Sequence, residues 1–268
     1  MKLAVSNIAW DSGDMGRHLE ILSETGCSGL ELAPSKIWDE PVNISDNEYS
    51  KFKKNVSNYG LEIPSLHSLT YTRPDLHFFK GEQIREKLIS YIKKLIEKAY
   101  ILDCQFIVFG SASCRDTGGL DREYCKDILI DSFYELASYA EKYNVNILIE
   151  YLSKKFTDCI NTPSEAWNLV NCVNHPFFNM HVDLRTSIEI GEDIPYTWQR
   201  YHNKICHCHV SDPDLKIPSE KYNEHYIAAR SMKKTGYSKY ISIEMREIPG
   251  ETEKNLFKAI DFIKKVYL

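Results

Sequence analysis

The chain has 268 residues, with 33 basic and 38 acidic side chains and a net charge of −5. That length suits one large α/β domain or two small ones. Basic residues are scattered without a patch, which argues against a nucleic-acid binder, and no apolar run approaches the length that spans a bilayer. The eight cysteines, at 27, 104, 114, 125, 159, 172, 206 and 208, form no C-x-x-C pair. The opening MKLAVSNIAW lacks the apolar core of a signal peptide, so reduced thiols and a cytoplasmic location are expected.

In chain order, short β-rich runs alternate with longer amphipathic ones. The strand runs are KLAVSNIAW, SGLELAP, EIPSLHSL, FIVFGSA, NILIEYL, FNMHVDL, ICHCHVSD and YISIEM. Between and after them lie runs such as EKLISYIKKLIEKAYIL, DILIDSFYELASYAEKY and EKNLFKAIDFIKKVYL, with apolar residues three and four apart, the helical period. Eight alternations predict an α/β fold, a (β/α)8 TIM barrel covering 1–268 as a single domain. The rival is a doubly wound open sheet, but no G-x-G-x-x-G follows the first strand.

A barrel of this kind carries its chemistry at the C-terminal ends of its strands. Strand five ends in Glu150, strand six in Asp183, strand seven in His209 and strand eight in Glu244. Side chains alternate along a strand. With these four pointing inward, Ile147, Ile149, Met180, Val182, Cys206, Cys208, Val210, Ile241, Ile243 and Met245 point outward, all apolar or cysteine as a helical layer requires. Leu148, His181, His207 and Ser242 then face inward one layer deeper. A lone histidine is ordinarily a hydrogen-bonded core group; three carboxylates at matching strand ends favour His209 as a metal ligand, because buried carboxylates need a counter-charge. Three carboxylates and one imidazole favour Mn2+, with Mg2+, Co2+ or Zn2+ also compatible.

The four residues, spaced by 33, 26 and 35 positions, resemble the xylose isomerase-like TIM-barrel superfamily, and within it the ketose 3-epimerases related to tagatose and psicose epimerase. The segments SNIAW, LELAPSKIW, TRPDLHFF, FGSASCR, HVSDPDL and SIEMR are similar to a branch described as sugar phosphate isomerases/epimerases. The resemblance implies a divalent-metal-dependent isomerase or epimerase of a sugar or sugar phosphate, working by proton abstraction and an enediolate. Glu150 and Glu244 would then exchange protons on opposite substrate faces while also binding the metal. Two family positions depart: a substrate-binding histidine is replaced by Thr186 and an arginine by Leu215. The alternatives are a sugar or inosose dehydratase, in which a β-hydroxyl leaves, and a non-catalytic sugar-binding barrel.

Other polar residues fall at the expected mouth. Arg73 and Arg115 follow strands three and four, and each is either an anion-binding fork or a loop-fixing salt bridge. His67, ending strand three, either meets substrate or packs as a hydrogen-bonded histidine. His225 either closes over the site or sits exposed on a helix. Arg246 either orients Glu244 and meets an anion, or makes an ordinary ion pair. The expected partner is a small-molecule sugar or sugar phosphate, with neither nucleic acid nor membrane. Homo-oligomerisation stays open, since no segment marks an interface.

Overall fold

Eight strands lie parallel: β1 (Lys2–Ser6), β2 (Gly29–Glu31), β3 (Ser65–Leu66), β4 (Phe106–Phe109), β5 (Asn146–Glu150), β6 (Phe178–Asp183), β7 (Ile205–Val210) and β8 (Tyr240–Ile243). The computed structural model describes residues 1–10 and 12–268. Paired neighbours run β2-β1-β8-β7-β6-β5-β4-β3. The seam between β2 and β3 closes through bridges Gly29–Glu62 and Leu32–Leu66. Leu30 N donates to Glu62 O at 2.9 Å and Leu32 N to Ser65 O at 3.0 Å. Gly29 permits that approach, because a Cβ there would lie 3.0 Å from Pro64 Cδ and 3.2 Å from Glu62 O. The result is the expected (β/α)8 barrel.

The outer layer comprises α1 (Met15–Glu24), α2 (Asp46–Ser57), α3 (Glu82–Ile101), α4 (Arg122–Glu141), α5 (Pro163–Val173), α6 (Leu184–Ile190), α7 (Ile194–Tyr201), α8 (Glu224–Lys234) and α9 (Thr252–Tyr267). Caps set several starts: Thr162 accepts from Glu165 N ahead of Pro163 in α5, and Asp121 accepts from Tyr124 N in α4, each satisfying a free backbone donor. The connection from β6 to β7 holds two short helices rather than one. Gly191, in the left-handed region at φ 65°, ends α6, where an L side chain would be strained. No described helix is long and apolar enough to cross a membrane.

Apolar burial divides as strand alternation requires. Ile147, Ile149, Met180, Val182, Cys208, Val210, Ile241, Ile243 and Met245 join the large core between sheet and helices. Cys206 does not. It packs with Val108 and Leu148 inside the barrel, which corrects the expected outward placement. The cause is a β-bulge: Met180 pairs with Ile205 but His181 pairs with His207, so one extra residue resets the alternation on β7. Above the bulge His207 and His209 keep the inward direction expected for them.

Candidate metal and active site

The inner ends of the strands carry a continuous set of polar side chains, all buried. Asp183 closes β6 and caps α6, its Oδ1 accepting from Arg185 N at 2.9 Å. Its Oδ2 accepts from Arg185 Nε at 2.8 Å and lies 2.7 Å from Arg185 Nη2. On β7, His209 lies between two carboxylates. Its Nε2 is 3.0 Å from Glu31 Oε1 and 2.9 Å from Oε2, and its Nδ1 is 3.3 Å from Glu244 Oε2. The other Glu244 oxygen is 3.2 Å from His67 Nδ1, and His67 Nε2 is 2.6 Å from Ser6 Oγ. Glu31 Oε1 also accepts from Ser65 Oγ at 2.6 Å and from His207 Nε2 at 2.9 Å. One chain of contacts therefore links β1, β2, β3, β7 and the exit of β8.

A cavity of about 500 Å³ opens on this set, lined by Glu150, Glu244, His67 and Arg185 together with Ser68, Thr70, Ser111 and Ser113. Among the described residues, Arg185 is the one cationic side chain in its wall. Glu150 reaches the cavity beneath Gly110, where a Cβ would fall 1.8 Å from Glu150 Oε2. Tyr71 stands 85% exposed at the rim. Phe156 forms part of the wall, with the Arg185 guanidinium 5.5 Å from its ring centre.

Electrostatics hold the two cavity glutamates in opposite states. Burial, with Asp183 and Glu244 nearby, pushes the Glu150 carboxyl up to about 8. Burial also works to raise Glu244, but His209 and His67 outweigh it and hold that carboxyl well below the usual range. Burial alone would depress His209, yet Glu31 and Glu244 hold it well above an ordinary imidazole. Burial leaves His181 and His207 below the ordinary value.

Glu150, Asp183, Glu244 and His209 offer three carboxylates and one imidazole, a donor chemistry that suits a divalent cation, although as a set they are not among the groups of described residues whose donor atoms lie within 4.8 Å of one another. His209 Nδ1 is buried without a hydrogen bond of good geometry, beside Glu244, while Nε2 is held by a carboxylate, the arrangement usual for a ligating histidine. Two tighter clusters, Glu31–His67–His209 and His181–His207–His209, have donor atoms within 4.8 Å of one another. His181 and His207 lie beneath the cavity, His67 stands in its wall, and Glu31 already takes Nε2 of both His207 and His209.

The other expected site residues are placed differently. His67 stands in the cavity wall. Arg73 is paired with Asp75 through two contacts of 2.8 Å, lies 4.9 Å from the Tyr91 ring centre and lines a separate opening with Glu40 and Lys94. Arg115 is 0% exposed, and none of its three guanidinium nitrogens has a hydrogen-bond partner. Burial lowers its pKa, against the pull of Cys159, Cys114 and Glu150. His225 is buried, with Nε2 3.0 Å from Asp212 Oδ1 and Nδ1 3.0 Å from the Tyr267 hydroxyl. Since Asp212 also accepts from Ser219 Oγ at 2.6 Å, His225 fastens the loop after β7 to α8 and α9. Arg246 is exposed, and its backbone N donates to Leu215 O at 2.7 Å.

Sequence reasoning passed over Glu31 and Arg185. The signal for Glu31 was present: an acid between Leu30 and Leu32 at the end of a strand run obeys the rule applied to strands five to eight. Arg185 had no such signal, because its direction depends on how α6 leaves β6.

The family model described as xylose isomerase-like TIM barrel matches residues 19–266. No curated protein matches the chain. Among solved structures, D-psicose 3-epimerase in the presence of D-fructose has a TM-score of 0.85 at 15% identity, covering 100% of this chain and 99% of that one. The E. coli 3-keto-D-glucoside 4-epimerase YcjR, in apo form, has a TM-score of 0.83 at 14% identity over 99% of each chain. The IOLI protein with a binding zinc atom has a TM-score of 0.74 at 20% identity, covering 99% of this chain and 96% of that one. At these identities the likeness carries the fold.

Proposed function

The chain belongs to the xylose isomerase-like TIM-barrel family, and from the site it carries we propose that it is a divalent-metal-dependent isomerase or epimerase of a sugar or sugar phosphate. The observation that carries the reading is the meeting of Glu150 and Glu244 in one cavity, with Asp183 and His209 beside them. Glu150, Asp183, His209 and Glu244 would hold the ion, with Mn2+ favoured and Mg2+, Co2+ or Zn2+ compatible. When bound, such an ion polarises the carbonyl and hydroxyl oxygens of a sugar.

The chain's own groups move the proton. Glu150 and Glu244 come from strands that are not neighbours, β5 and the exit of β8, so they approach a substrate from different sides. One removes a proton beside the carbonyl to give an enediolate, and the other returns a proton to the opposite face. His67, held by Ser6, orients Glu244. Ser68, Thr70, Ser111 and Ser113 supply hydroxyls to a polyhydroxylated substrate. Arg185 supplies the cationic wall, with Arg73, Arg115, His225 and Arg246 outside it. The supporting likenesses are to proteins solved as D-psicose 3-epimerase and 3-keto-D-glucoside 4-epimerase.

Glu150→Gln and Glu244→Gln test these roles. Each keeps the local shape and removes a base. Turnover should stop in both while metal still binds, and one variant should still exchange the proton of a single epimer. Normal turnover in both would leave these residues as ligands alone and move the base to His67.

A further inference from the structure

We propose that Glu31 is a positioning residue of this site, holding the His209 imidazole by Nε2 so that Nδ1 is the donor left for a cation beside Glu244. The inference rests on the reading of Glu150, Asp183, His209 and Glu244 as metal ligands. Glu31 comes from β2, which β1 and β8 separate from β7 in the sheet, so it braces His209 across the barrel interior. Its Oε1 gathers Ser65 Oγ at 2.6 Å, His207 Nε2 at 2.9 Å and His209 Nε2 at 3.0 Å. An ionised carboxylate only accepts, so the ring nitrogens that face it carry the protons.

The two nitrogens of an imidazole lie on different edges of one plane. A histidine that donates from Nε2 therefore offers its lone pair from Nδ1, and the hydrogen bond on one nitrogen selects the tautomer that serves at the other. In His209 the other nitrogen, Nδ1, is 3.3 Å from Glu244 Oε2, within the candidate ligand set, and becomes a donor to a cation by giving up any proton it shares with Glu244. His207 is fastened to the same oxygen and limits how far Glu31 can shift. Without Glu31, the ring could turn over and present either nitrogen to Glu244. A purely structural role would leave cation binding unchanged in a folded variant. A positioning role requires binding to weaken.

The test is Co2+ titration of the full chain, followed by visible absorption and calorimetry, in wild type, His209→Ala, Glu31→Ala and Glu31→Gln, with circular dichroism to establish folding. Loss of such an outer partner typically weakens metal binding by about 10- to 100-fold. That loss, with a shifted cobalt absorption band, is expected for Glu31→Ala. Glu31→Gln keeps a carbonyl acceptor for Nε2–H and should recover part of the affinity. Should Glu31→Ala fail to fold, Glu31→Gln decides alone by falling measurably below wild type. Wild-type affinity and an unchanged band in folded Glu31 variants, with His209→Ala impaired, would overturn the positioning role. No cobalt binding by wild type, or equal binding by wild type and His209→Ala, would overturn the metal reading itself and this role with it.

Discussion

Glu150 and Glu244 share a cavity but sit in opposite fields, and that difference has a measurable consequence. In the metal-free protein Glu150 keeps its proton to about pH 8 instead of 4.5, through burial and its acidic neighbours. Because the folded value is raised, the stabilisation from this group is complete below about pH 4.5 and is lost as pH rises through about 8. A divalent ion needs the ionised carboxylate, so it must displace that proton. Metal affinity should therefore rise with pH, about tenfold per unit for each displaced proton, and level off above about pH 8. The His209 imidazole, raised above its ordinary value by Glu31 and Glu244, shifts affinity in the same direction. Calorimetry from pH 6 to 9 reads it, and the thermal stabilisation by Mn2+ should be larger at pH 8.5 than at pH 6. On the same measurement, His209→Ala should weaken binding by at least about tenfold, by analogy with the smaller outer-shell effects.

At the level of strands and turns, the exit of β4 makes room for the site. A Cβ on Gly110 would lie 1.8 Å from Glu150 Oε2 and 2.9 Å from its Cδ, so Gly110→Ala must displace the carboxylate. Overpacking of this kind costs roughly 1–3 kcal/mol where neighbours cannot yield. A side-chain tip can yield, so the fold should survive with a modest drop in melting temperature while metal affinity falls about tenfold or more. Unchanged affinity would mean that Glu150 is not a ligand. The strands also show what a sequence can reveal. Period-two alternation on β5, β6 and β8 placed Leu148, His181 and Ser242 inward and the aliphatic residues outward, because a pleated strand has two faces. The alternation failed at Cys206, since a bulge depends on the fit between two strands rather than on either alone. Loop residues were less legible still. Arg73 and Arg115 follow the expected strands, but no strand alternation fixes their direction; one turned to Asp75 and the other into the interior.

Across the whole molecule, the barrel separates a polar mouth from apolar packing, and burial sorts the cysteines by reactivity. Cys172 is exposed and the other seven are buried. Burial pushes Cys104 and Cys114 up to about 12 and Cys27 and Cys159 up to about 11, which keeps them as unreactive thiols near neutral pH. A thiol reagent at pH 8 should modify one cysteine rapidly in the native protein and all eight after denaturation, with mass mapping placing the fast site at Cys172. The overall architecture was readable because eight alternations leave few topologies for 268 residues. The inner network was only partly readable, because it joins side chains from strands far apart in sequence, such as Glu31 with His207 and His209. Proton abstraction at that mouth is the central claim. Incubation of the Mn2+-loaded protein in deuterated water with a panel of sugars and sugar phosphates tests it most directly, because exchange reports abstraction even before a product is identified. Incorporation of deuterium beside a substrate carbonyl, without loss of water by mass, and lost from at least one epimer in each of Glu150→Gln and Glu244→Gln, is the expected result. No incorporation into any member of the panel by fully metal-loaded protein, or a product lighter by one water, would contradict it.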